Sequence, residues 1–96
     1  MKELIKELTE AFGPSGHEDA VREIIKEHIA GHVDEIRTDA LGNLIALKKG
    51  HPQKGVEPRK IMLAAHMDEI GVIVSYITEK GFLRFAPVGG VYSVTL

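Results

Sequence analysis

Ile61-Met62-Leu63-Ala64-Ala65-His66-Met67-Asp68-Glu69-Ile70-Gly71 is the stretch on which the reading of this 96-residue chain turns. Its first five residues are uninterrupted apolar, which predicts a strand buried on both faces in the middle of an α/β sheet. The run then ends in His, Asp, Glu and Gly. Polar groups are therefore gathered at a strand's carboxyl end, where open α/β sheets place their ligands. His66 and Asp68 are two apart, so in extended backbone they face the same side. An imidazole there suits a metal ion, and a carboxylate beside it can fix the ring's orientation and raise its basicity. Spacing alone equally describes ordinary polar caps on a strand end.

Upstream of this stretch the chain reads as two helices and a hairpin. Leu4, Ile5 and Leu8 recur at helical spacing over residues 2–11, with Phe12 continuing the stripe. Gly13-Pro14 breaks that helix. Ser15 and Glu18 have the spacing of a capping box, which opens a second helix over about 17–30 with Ala20, Val21, Ile24, Ile25 and Ile29 on its apolar side. Gly31 is a natural stop. Neither helix is stable alone, so both stripes need a covering surface, predicted to be a sheet. Residues 33–38 and 44–47 are strand-like and flank the turn-rich Asp39-Ala40-Leu41-Gly42-Asn43, which predicts a hairpin. Residues 50–60 hold Gly, Pro and charge, and read as an exposed loop.

Downstream, residues 72–77 and 82–85 form a second strand pair around the turn Glu79-Lys80-Gly81, and Gly89-Gly90 marks a tight bend. The chain stops at Val91-Tyr92-Ser93-Val94-Thr95-Leu96, apolar and β-prone, where natural termini are polar and frayed. This is the expected look of a piece of a longer protein. Cut there, the 61–65 strand lacks neighbours, and its open edge predicts self-association or a loosely packed state.

Composition closes off other classes. Twelve basic residues stand against 14 acidic ones, a net charge of −2, so no strong positive field draws nucleic acid. There is no cysteine, hence neither disulfide nor thiolate metal site. No apolar run approaches the roughly 20 residues that span a bilayer, and the N-terminus is not a secretory signal. The expected setting is cytoplasmic. No Gly-rich phosphate loop is present.

The 64–71 motif resembles the first metal-binding motif of the dinuclear-metal glutamyl aminopeptidase and tetrahedral aminopeptidase family, some of whose members have carried an endoglucanase label. Three further stretches resemble that family's N-terminal segment: residues 12–18 its opening helix–turn–helix, residues 39–44 its Asp-x-x-Gly-Asn turn, and residues 87–90 the beginning of its second domain. The resemblance implies an α/β class, with residues 1–75 the N-terminal part of an α/β/α zinc-peptidase catalytic domain. It implies that residues 76–96 are the first strands of an inserted β-barrel-like oligomerisation domain. It implies that His66 is a metal ligand and that Asp68 is the catalytic-site carboxylate that hydrogen-bonds it. Family members remove N-terminal residues from peptides with two zinc or cobalt ions and a bridging water, and assemble into dimers and dodecamers.

The donor set is short. Beyond Asp68 the chain has only Glu69 and Glu79 as acidic residues and no histidine. A catalytic zinc takes three protein ligands and a two-ion site more, so the chain alone is expected to be inactive and to bind zinc weakly or not at all. Related metallohydrolases of N-acyl amino acids also carry His-x-Asp at a strand end. A non-catalytic, self-associating module is the alternative from another class. Other histidines read as surface residues: His28 and His32 straddle Gly31, His17 opens the second helix, and His51 lies in the loop. Glu69 reads either as a cleft residue or as a strand-end surface group.

Overall fold

The computed structural model describes residues 1–51, 54–55 and 59–91. Among them are two helices, α1 (Lys2–Glu10) and α2 (Asp19–Ile29), and four strands, β1 (Glu35–Thr38), β2 (Leu44–Leu47), β3 (Gly71–Ile77) and β4 (Leu83–Val88). The strands form two separate antiparallel pairs, β1 with β2 and β3 with β4. The chain divides into two compact units, Met1–Val21 with Met67–Leu96, and Arg22–His66. The division falls inside α2.

In the first unit α1 buries only part of the predicted stripe. Leu4 and Leu8 are half-buried, while Ile5 and Phe12 are exposed. The helix ends at Ala11, which is extended at φ −73° and ψ 139°, ahead of the Gly13-Pro14 break. The Glu18 carboxylate accepts from the Gly16 amide at 2.7 Å, and Gly16 takes a φ of +85°. Position 16 therefore suits glycine. The β3–β4 pair runs from Gly71 opposite Val88 to Ile77 opposite Leu83, with a bulge between Val74 and Tyr76. Its turn is tied by Thr78, whose carbonyl accepts from Gly81 N–H and whose hydroxyl accepts from Phe82 N–H. Gly89 bends the chain after β4, with Val91 N–H donating to its carbonyl at 3.0 Å.

In the second unit the helix stripe and the hairpin appear where periodicity put them. Ile24, Ile25 and Ile29 are half-buried. Glu23 and Lys26 pair one turn apart at 2.6 Å on the outer face. Beyond α2 the backbone turns with His32 N–H on the Ile29 carbonyl. β1 and β2 pair from Glu35 opposite Leu47 to Thr38 opposite Leu44. Asp34 closes the open end of the hairpin, its carboxylate accepting from Lys49 N–H at 2.6 Å.

Residues 61–65 differ from expectation. Among the described residues they pair with no strand, and Ile61, Met62 and Leu63 are 85%, 89% and 93% exposed. A strand buried on both faces needs neighbours on two sides, and the unit's two strands pair with each other instead. Among the described residues only Gly13, Val21 and Arg22 are buried, so most apolar side chains, those of β3 and β4 included, face outward. The apolar terminus read at residues 91–96 lies outside the described residues except for Val91, as does much of the 50–60 loop.

Candidate functional site

His66, the last residue of the second unit, is exposed; Asp68, in the first, is half-buried. Neither residue is without a partner. Among the described residues no group of three or more His, Cys, Asp or Glu is placed to hold a metal ion. His17, His28, His32 and His51 are all exposed.

What fixes the motif is a contact the sequence reading left undecided. Glu69 clamps the Gly13-Pro14 turn. Its amide donates to the Gly13 carbonyl at 2.9 Å, and its carboxylate accepts from the Gly13 amide at 3.1 Å. Pro14 and Glu69 form an isolated parallel bridge. One residue thus serves both backbone groups of the buried Gly13, which would otherwise be an expensive unpaired donor and acceptor. Glycine is required by space as well: a Cβ at position 13 would sit 2.5 Å from Val21 Cγ2 and 3.8 Å from the Met67 carbonyl. Gly71 keeps the same approach open, since a Cβ there would lie 3.3 Å from Pro14 Cβ. The signal for this contact was present as Gly-Pro and Glu-x-Gly, residue types that permit close backbone approach. Nothing local showed that the two would meet across 56 positions.

The Asp39–Asn43 turn of the second unit is wired independently. Asp39 Oδ1 accepts from Leu41 N–H at 3.0 Å and Asn43 N–H at 2.9 Å, and Oδ2 accepts from the Asn43 side chain at 2.9 Å. The Asn43 side-chain bond is the main reason the Asp39 carboxyl is held below its ordinary value of 3.8, helped by the two backbone amides and by Arg37. Gly42 adopts φ +85°. Its carbonyl accepts from the buried Arg22 Nε at 2.8 Å, and a Cβ at position 42 would fall 2.9 Å from Arg22 Nη2. These bonds latch a helix to a turn.

Comparison with known proteins matches most of the chain. Residues 42–96 match the model of the M42 glutamyl aminopeptidase family, and residues 1–25 match a second model, AMPT. A lysyl aminopeptidase of Pyrococcus furiosus is 41% identical over 95 residues, 98% of this chain and 26% of the relative. Aminopeptidase APDkam598 from the archaeon Desulfurococcus kamchatkensis superposes with a TM-score of 0.86 at 48% identity, over 98% of this chain and 25% of that one. PhTET1-12s, a dodecamer in its asymmetric unit, gives a TM-score of 0.75 at 41% identity, over 96% of this chain and 26% of that one. The chain thus spans about a quarter of the length of the proteins it matches.

Proposed function

The chain belongs to the M42 glutamyl aminopeptidase family, and from that premise we propose that the full-length protein is a metal-dependent aminopeptidase that removes N-terminal residues from peptides. The observation that carries the reading is that the 42–96 match contains the His66-x-Asp68 pair. In this reading His66 is a ligand to one of two divalent ions, zinc or cobalt, and Asp68 holds its imidazole in the ligating tautomer. The ions supply an activated water when bound. The exposure of His66 fits a ligand whose remaining partners, and whose cleft wall, lie outside these 96 residues. Residues 1–75 would then be the N-terminal part of the catalytic domain and residues 76–96 the start of an inserted β domain. Homo-oligomerisation, dimeric or dodecameric, is supported by the dodecameric relative. A cytoplasmic setting completes the proposal.

The test is hydrolysis of lysyl, glutamyl and leucyl para-nitroanilides by the full-length protein, before and after chelation. Cleavage that chelation abolishes is expected. His66→Ala should lower kcat/KM by more than the about 10–100-fold that loss of a supporting outer partner costs, and Asp68→Asn by about that range. Full activity in His66→Ala would remove the reading. The 96-residue chain by itself should cleave none of the three, and calorimetric titration should show no stoichiometric zinc site tighter than about micromolar, given its short donor set.

A further inference from the structure

We propose that Glu69 is a positioning residue for the hydrolytic site, acting through the backbone that carries Asp68. This rests on the aminopeptidase reading and adds to it a residue outside the His66-x-Asp68 pair. Asp68 stands at a point where, among the described residues, no strand on its own stretch holds it before β3 begins at Gly71. The next residue along, Glu69, is held by two bonds to Gly13.

The Glu69 amide and carboxylate grip the two backbone groups of Gly13 at 2.9 and 3.1 Å. Gly13 is itself immobilised against the buried Val21, with no room for a Cβ. Pro14 adds a ring of fixed φ at the bridge, and a Cβ at Gly71 would lie 3.3 Å from Pro14 Cβ. The clamp therefore holds Glu69, one peptide unit from the Asp68 Cα. A catalytic carboxylate needs its orientation held to a fraction of an ångström, and misplacement by about 1 Å costs up to about 100-fold in rate. The bond that does the holding needs an acceptor at Oε1 and no charge, because its donor is a neutral amide.

Those requirements separate positioning from mere stabilisation. In the full-length protein, Glu69→Ala should lower kcat for an aminoacyl para-nitroanilide by about 10–100-fold, with KM within about twofold. Glu69→Gln, whose amide oxygen still accepts from Gly13 N–H, should restore kcat to within about threefold of the original. A Glu69→Ala protein with unchanged kcat per folded molecule overturns the proposal, even if it melts earlier. So does a Glu69→Gln protein as impaired as Glu69→Ala. If the unaltered protein cleaves no such substrate, the aminopeptidase reading fails, and the clamp is then judged by amide hydrogen exchange. Glu69→Ala should speed exchange at residue 69 by about 3–10-fold, the worth of one hydrogen bond, and Glu69→Gln should not. Equal exchange in all three proteins overturns it.

Discussion

Residues 44–47 and residues 61–65 are both short apolar runs within the same unit, and they end in opposite states. The first is β2, paired residue for residue with β1. The second pairs with nothing among the described residues and lies open to solvent. The difference is one of reach. β2 meets its partner across a five-residue turn whose backbone is fixed in place by Asp39 and Asn43, so little loop entropy opposes pairing. Residues 61–65 have no such local partner. An apolar run states a readiness to be buried, and a neighbouring segment must supply the burial.

The sharpest way to break this contrast is Gly42→Ala. A side chain at φ +85° is strained by about 1–2 kcal/mol, and this one would also collide with Arg22 Nη2 at 2.9 Å, displacing the guanidinium that holds the turn to α2. Amide exchange in β1 and β2 should accelerate by about 10-fold, and exchange at residues 61–65 should stay as it was. Coupled acceleration in both segments would show that the hairpin is not the self-contained element described above.

A smaller effect comes from pH. The Asp39 carboxyl is depressed in the folded chain, so its contribution is fully present above the ordinary carboxylate value of 3.8 and disappears as pH falls through the lower, folded one. The turn should therefore be indifferent to pH between about 5 and 7 and loosen below about pH 4. Chemical shifts of Leu41 and Asn43 would follow that titration, because both amides donate to Asp39. Asp39→Asn should abolish the acid dependence while retaining the turn, since an amide oxygen remains as acceptor. A Leu41 shift that moves only near pH 6 would assign the titration to another group.

The same distinction explains what could be read from the chain. Both helices, both hairpins and the Thr78–Gly81 turn follow from spacings of four residues or fewer and from turn chemistry, and they stand within two residues of their expected bounds, except that β4 runs to Val88, three residues past the expected end at residue 85. The resemblance of the 64–71 motif pointed to the family that the M42 match shows. The clamp at Glu69 was not legible, because a glutamate before Ile-Gly carries no mark of the glycine 56 positions earlier that it grips. Nor was the state of residues 61–65. Apolar periodicity distinguishes buried from exposed faces only after the opposing surface is known.

The mildest substitution tests the open run directly. Leu63 is 93% exposed, so Leu63→Ser removes almost no buried apolar area within this chain and should change its stability by no more than about 0.5 kcal/mol. The same change removes apolar surface available to other molecules, and self-association of the 96-residue chain, followed by sedimentation across a concentration series, should weaken. Ile45, half-buried in β2, provides the counterpart: serine there should loosen the hairpin and leave association unaltered. Should Leu63→Ser destabilise the chain by more than Ile45→Ser does, residues 61–65 are packed in solution, and the separation of local from borrowed structure drawn between the two runs is wrong.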